Sequence, residues 1–410
     1  MERKLRQHPK LSAQYNDFLA EYLALGHMSA IENPCDTALT PVYIPHHSVL
    51  RETSSTTKLR VVFNASCKTT NGTSLNDHLL VGPKLQQALP AILLRWRQWR
   101  FVYAADIAKM FRQILVNNLD TDFQRILWRP SCDTPITHFR LLTVTYGLAP
   151  APYLAMRVLK QLSLDEGSDY SAAVPILRDS VYVDDALFGG DDVASLMECR
   201  EQLTGLLQRG GFQLRKWASN SPELLRDLAT RQTDMEDHLL QPDETLKELW
   251  LTQSDLDTPL LDELRQQWEA YYNNLETLNG IRIPRWTGRR GNEVAFELHG
   301  FADASNRAYA AVVYIRILHM HADVLSVYSP RKLKSRLLRL SIPRLELNAI
   351  VLLSRLIKWV QTTLSSPSAS VFGWSDSAVA LAWLRQHPAK WQTFVANRVS
   401  EVQRTLPEAR

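Results

Sequence analysis

The stretch SVYVDDALFGG, Ser180 to Gly190, sets two adjacent aspartates inside an apolar, strand-like run. A carboxylate placed in such a run is unfavourable unless it is paired or bound to a cation. Neighbouring residues on a strand face opposite ways, but a tight hairpin relaxes that and lets both acids approach one point. Two hard oxygen ligands with an open side suit magnesium. A third carboxylate on a neighbouring strand would complete such a site. ADIAKMF offers Asp106, which follows the strand-like FVYAA where the chain turns outward. The set suits two-metal phosphoryl transfer, in which two cations clamp the attacking and leaving oxygens. Aspartate pairs are also common in turns, so the pair taken alone reads more readily as a turn than as a site.

The chain around this stretch is ordinary in bulk. At 410 residues it is too long for one core, and two or three domains are expected. Hydrophobic residues make up 45% and charged residues 22%, as in soluble globular proteins. A net charge of +4 does not by itself call for a nucleic-acid partner. Basic residues gather in RWRQWR (Arg95 to Arg100) and RKLKSRLLR (Arg331 to Arg339), and either run alone reads as a solvated face. Cys35, Cys67, Cys132 and Cys199 lie far apart with no zinc-ligand spacing, which suggests free thiols in a reducing compartment. MERKLRQHPK has no apolar core, so no secretory signal is expected there. AIVLLSRLIKWV is broken by Arg355 and Lys358 and reads as an amphipathic helix rather than a membrane span.

No repeat is evident. Helices are expected over Lys4 to Leu25, Ala88 to Trp99, about Pro152 to Leu164, and Val193 to Gln208, the last stopping at Gly210-Gly211. Extended pieces run from Thr40 to Asn64 and end in KLRVVFNAS. RFVYAADIAKMFRQILV begins as a strand and then changes period, and HFRLLTV and FQLRKW read as further strands. Two strands flanking Asp184 and Asp185 form a hairpin candidate. Ser219 to Asn279 is polar, acidic and helical in pattern, a connector. Strands resume in VAFELHGFADAS, AYAAVVYIRI and VLSVYSP, followed by a long helix from about Pro343 and a strand running into a helix in SVFGWSDSAVALAWLRQ. This is a second α/β unit.

Taken in order, LRVVFNASCK, SLNDHLLVGPKLQ, ADIAKMFRQILV, VTYGLAPAPYLA, YVDDALFGG and GGFQLRKWASN resemble the reverse transcriptases, and more specifically those of the Bel/Pao class of LTR retrotransposons. The resemblance covers most of the chain from about Tyr43 and rests on many independent blocks. It implies that Asp106 and Asp184 are metal ligands of a polymerase palm and Asp185 the accompanying aspartate, with a less direct role. Phe111 matches the aromatic that screens the sugar 2′ position, since a bulky ring there would clash with a 2′-hydroxyl. Gly147 and Pro152 match the loop under the incoming nucleotide. Tyr146 stands where many relatives carry Gln. Lys58 and Arg60 are candidates for the triphosphate, and Lys216 for proton donation to pyrophosphate.

In the second unit Asp303 lies in GFADAS, Glu346 in IPRLELNAI and Asp376 in WSDSAVALAWL. Alone, Asp376 reads as a helix cap. The order Asp, Glu, Asp resembles the ribonuclease H of Bel/Pao elements, which implies two carboxylate-held metals that generate the attacking hydroxide and stabilise the leaving 3′ oxygen. The basic run Arg331 to Arg339 falls between the first two acids, placed to meet hybrid phosphates.

The resemblance has gaps. The fourth ribonuclease H acid, in a NPADxxSR-like stretch, is absent before Arg410, and no LGxxW or FDPLG block occurs between Ser219 and Trp250. No protease or integrase region is visible, and no Asp-Thr-Gly or Asp-Ser-Gly triplet argues for an aspartic protease. A fragment of a retroelement polyprotein is therefore expected. The expected fold class is α/β (α+β): right-hand fingers and palm over residues 1–218, a shortened helical thumb or connector over 219–290, and a C-terminally truncated ribonuclease H-like α/β domain over 291–410. The expected activity is RNA-directed DNA polymerisation, a nucleotidyl transfer using Mg²⁺ (Mn²⁺ as substitute), dNTPs and a primer-template, with an RNA–DNA hybrid as the second substrate. The alternative is an inactive nucleic-acid-binding remnant. The family implies a cytoplasmic virus-like particle and protease, integrase and capsid segments as partners, with no membrane.

Overall fold

A computed structural model describes residues 2–34, 40–50, 59–131, 133–229, 285–288, 295–306, 308–317, 326–334 and 340–407. The chain divides into two compact units. The first comprises Met1–Ile92, Tyr103–Phe188 and Ala194–Asp237; the second comprises Leu93–Val102, Gly189–Val193 and His238–Arg410. Most of the expected connector and the side chains of the Arg331 to Arg339 run lie outside the described residues.

The first set of strands runs β1 (Met28–Ala30), β2 (His46–Leu50), β3 (Leu59–Phe63), β4 (Phe101–Ile107), β5 (Arg125–Trp128), β6 (Thr137–Leu141), β7 (Val181–Tyr182), β8 (Asp185–Gly190) and β9 (Leu214–Ser219). They form a sheet in the order β1-β6-β5, a β2-β3 pair, and a four-stranded sheet in the order β7-β8-β4-β9. The helix Pro9–Ala24 buries Leu11, Tyr15, Leu19 and Tyr22 at helical spacing against Val61, Phe63, Ile126, Phe139 and Leu141. It is the expected N-terminal helix, separated at His8 from a short helix Glu2–Gln7, because proline cannot continue a helix from within.

The four-stranded sheet is anchored by Tyr103, Phe188 and Trp217, whose ring centroids lie 5.3–6.3 Å apart. The Tyr103 hydroxyl donates to Leu224 O at 2.7 Å. Buried Arg200 donates to Asp227 Oδ1 at 3.0 Å and Oδ2 at 2.5 Å, the bidentate form that makes a buried cation tolerable.

In the second unit β10 (Phe296–Ala304), β11 (Ala308–Ile317), β12 (Ser326–Lys334) and β13 (Ser370–Trp374) form one sheet in the order β12-β11-β10-β13. β10 pairs antiparallel with β11 and parallel with β13. A parallel neighbour needs a crossover, and the 22-residue helix Ile342–Thr363 supplies it. It buries Leu347, Ile350, Leu353, Ile357 and Val360 against Leu298, Val313, Ile315 and Ile317. Arg355 and Lys358, which broke the apolar run in the sequence, lie on its solvent side. Among the described residues no helix is long and apolar enough to cross a membrane, and Cys67 and Cys199 are free thiols.

Candidate active sites

The first cluster is built by a hairpin and its neighbour. β7 and β8 pair Val181 with Ala186 and Tyr182 with Asp185, so Val183 and Asp184 form a two-residue turn. Val183 has φ 55°, the sign pattern of a II′ turn, where glycine is the usual occupant. A β-branched residue there is strained. Ile107 N donates to Asp184 O at 2.7 Å, which sets Asp106 beside the turn. β4 and β9 pair Ala104 with Ala218 and Asp106 with Arg215, and the register shifts between them. Lys216 and Trp217 thus oppose Ala105, a bulge with Lys216 at φ 53°. The bulge turns Lys216 onto Asp106: Nζ lies 2.9 Å from Oδ1, and Arg215 Nε lies 3.5 Å from Oδ2. Lys109, just past Asp106, has φ 52°. Three of the four non-glycine residues described with positive φ therefore surround one pair of acids, and strain of this kind gathers at functional sites.

Asp185 is pushed up to about 6, by burial first and then by the Asp184 and Asp106 carboxylates, against the pull of Lys216. The residue is exposed, so hydration offsets much of the burial contribution and the repulsion persists. An acid whose ionisation two neighbouring carboxylates oppose belongs to a donor set suited to a hard divalent cation. Asp106 now answers Lys216 and Arg215 instead.

The other candidates lie in the same unit. Gly147 has φ 100°, and a Cβ there would lie 2.3 Å from Phe63 O, so only glycine lets the loop approach β3. Tyr146 is committed to the interior: its hydroxyl donates to Val61 O at 2.7 Å and its ring packs on Phe63 at 5.5 Å. Arg60 is exposed on β3, Phe111 lies in the turn Met110–Gln113, and Pro152 opens the helix Ala151–Asp165. Lys58 lies outside the described residues.

One residue that the sequence reading missed, Asn76, staples the Gly147 loop. Its amide nitrogen donates to Gly147 O at 2.9 Å and to Ser66 Oγ at 2.8 Å, while its carbonyl accepts from Ala149 N at 2.8 Å. It sits in the short helix Leu75–His78, entered by a capping box of Ser74 and Asp77. That box was the available signal.

The second cluster is tighter. Oxygens of Asp303 on β10, Glu346 on the long helix and Asp376 beyond β13 all lie within 4.8 Å of one another. Oxygens around a magnesium ion at about 2.1 Å lie roughly 3–4 Å apart, so small rotations would complete the fit. Among the described residues the Asp106, Asp184 and Asp185 set is not gathered in this way. Glu346 is buried; its Oε1 accepts from Ala304 N at 3.2 Å, and Oε2 has no partner among the described residues. Desolvation, then Asp303 and Asp376, raise its carboxyl above the usual range despite the Ala304 bond. An orphaned buried carboxylate oxygen on a residue gathered with two more acids fits a divalent cation. Asp376 is not the helix cap: Ser377 is, accepting from Ala380 N at 3.3 Å.

Glu346→Gln should raise the melting temperature in chelator, by the about 2–4 °C that ~1 kcal/mol gives in a unit of this size, while weakening Mn²⁺ binding. Calorimetric melting in EDTA and a Mn²⁺ titration would check both. A fall in melting temperature would mean that Glu346 is held by something other than its fellow acids.

Residues 238–377 match the family described as Pao retrotransposon-like RNaseH-like domain, a span that takes in Asp303, Glu346 and Asp376. The fold is similar to that of the foamy viral protease-reverse transcriptase. A form of it in complex with double-stranded DNA gives a TM-score of 0.54 at 15% identity, over 95% of this chain and 67% of that one. The complex with RNA/DNA hybrid gives 0.55 at 14%, over 98% and 53%. Another double-stranded DNA complex gives 0.53 at 16%, over 98% and 82%. The chain thus spans about half to four fifths of these proteins. At such identity the likeness is one of fold. Comparison with curated proteins finds no match. The family match bears out the expected retroelement ribonuclease H-like region, and the shared fold agrees with the sequence resemblance.

Proposed function

We propose that the chain is an RNA-directed DNA polymerase of Bel/Pao type with an associated ribonuclease H, and that its two acid clusters are the two catalytic centres. The observation that carries the reading is the strained hairpin that brings Asp184 beside Asp106, with a second, metal-sized carboxylate triad in the other unit. The first unit supplies fingers and palm. Asp106 and Asp184 would hold Mg²⁺ or Mn²⁺, and Asp185 would set the local charge. Bound divalent ions would stabilise charge on the attacking and leaving oxygens of a phosphodiester. Lys216, paired with Asp106 through Oδ1, would be the residue to donate a proton to departing pyrophosphate. Phe111 screens the 2′ position of the incoming dNTP, Gly147 lets the backbone approach it, and Arg60 with Lys58 meets its phosphates. Tyr146 contributes by holding the loop rather than by touching the nucleotide. Asp303, Glu346 and Asp376 orient the scissile phosphate of the RNA strand in a hybrid. The setting is the cytoplasm, alongside other polyprotein segments such as capsid, protease and integrase.

Primer extension on an RNA template with dNTPs, run with Mg²⁺ and with excess EDTA beside a hybrid-cleavage assay, tests this. Both activities should appear with Mg²⁺ and vanish with chelator. Hybrid binding without either activity would sink the enzyme reading and leave a nucleic-acid-binding remnant.

A further inference from the structure

The turn that carries Phe111 is too short to hold itself. Met110–Gln113 is a single 3-10 turn, a form with few hydrogen bonds of its own. It is entered through Lys109 in the left-handed region at φ 52°, a conformation that surrounding structure must impose on a non-glycine residue. Two backbone bonds stay within the segment, Arg112 N to Lys109 O at 2.8 Å and Ile114 N to Phe111 O at 3.3 Å.

The outside support comes from the helix Pro9–Ala24. Glu21, on its last turn, accepts from Lys109 Nζ and from Arg112 Nη2, the latter at 3.3 Å. One carboxylate thus binds the cations on both sides of Phe111. Arg112 is only 8% exposed, and its guanidinium lies 4.1 Å over the Tyr22 ring and 5.9 Å from Phe18, both on that helix. Its Nε has no partner among the described residues. Glu21 is therefore the acid that neutralises a buried cation at this turn, and without it Arg112 would keep only ring faces.

We propose that Glu21, acting through Lys109 and Arg112, is a positioning residue for deoxynucleotide selection: it braces the Phe111 turn against the N-terminal helix. The inference rests on the reading of Phe111 as the 2′ screen. Glu21 is itself 43% exposed, so water can reach the turn when the carboxylate is lost, and the cost should appear as local opening of the turn rather than as unfolding of the unit.

The test uses the full chain and Glu21→Gln, with Glu21→Asp as the conservative variant. Hydrogen–deuterium exchange is read over residues 108–114, and selectivity is read as the ratio of kcat/KM for dNTP over rNTP in primer extension. In Glu21→Gln the amides of Arg112 and Ile114 should exchange about tenfold faster, with the strand Phe101–Ile107 unchanged, as for local opening. Selectivity should fall about tenfold, the equivalent of 1.4 kcal/mol, and Glu21→Asp should recover part of both. Unchanged exchange at 108–114 would overturn the brace, whatever the activity. Faster exchange with unaltered selectivity would overturn its role in selection. Absence of extension by the unmodified chain would instead overturn the polymerase reading, and the exchange result would still decide the brace.

Discussion

Asp184→Asn should lower Mg²⁺-dependent primer extension by roughly 10²–10³-fold or more, the scale on which one preorganised electrostatic group acts in a transition state. The substitution is nearly isosteric and leaves the backbone bond from Ile107 N to Asp184 O untouched. The two-residue turn should therefore persist, and the melting temperature should hold or rise as one of three repelling acids becomes neutral. What is lost is a hard anionic ligand on the turn that is bonded to the residue after Asp106. Asp185→Asn should cost less, because Asp185 is the first residue of β8 rather than part of the turn, and its carboxyl is already pushed up by burial and by its neighbours. Single-turnover extension beside a thermal melt separates the two effects. Full extension by Asp184→Asn would remove the first cluster from the chemistry.

The hairpin was legible because charge inside an apolar run conflicts with its surroundings, and such conflicts mark functional positions. β11 was legible over its whole length, Ala308–Ile317, as an apolar and aromatic run broken only by Arg316 near its end. The long helix was visible from its periodicity, which survives Arg355 because that side chain reaches out to Glu401 at 2.5 Å. Other features were not legible, for physical reasons. β5 is four residues, RILW, and exists because β6 and the chain at Tyr43 pair with it, which no local pattern encodes. The left-handed Lys216 is set by the β4 pairing rather than by any preference of lysine. Asn76 reaches Gly147 across 71 positions, so only its local capping box could have drawn notice. Tyr146 read as a candidate because it stands where many relatives carry Gln before Gly147; burial of its ring against Phe63 is a tertiary fact. The acids of the second cluster could be ordered in the sequence, but their convergence required the parallel β10–β13 pairing.

The largest effect on stability should come from a residue in neither cluster. Asp122 accepts from Arg125 Nε at 2.8 Å and Nη2 at 2.6 Å, and from Arg140 Nε at 2.5 Å and Nη2 at 3.3 Å. The Arg125 side chain is 0% exposed. Its other partners are neutral, Pro34 O at 3.0 Å and the Tyr43 hydroxyl oxygen at 3.3 Å. Asp122→Asn would leave a buried guanidinium without a countercharge, which costs about 3–5 kcal/mol. Replacing both, as Asp122→Asn with Arg125→Met, should recover part of that loss, since the penalty belongs to the stranded cation. The sign with pH follows from the same contacts. Hydrogen bonds from Arg140, then from Arg125, hold the Asp122 carboxyl below its ordinary range despite burial. The folded value lies under the unfolded one, so the contribution is complete above about pH 4, the ordinary aspartate value. It is lost as pH falls through the folded value. Urea melts of parent and Asp122→Asn should therefore differ most at neutral pH and converge as the buffer is taken below about pH 4. A gap that stays constant down to pH 2 would mean that Asp122 acts through shape and hydrogen bonding alone, and that the buried cation at Arg125 is neutralised by something else.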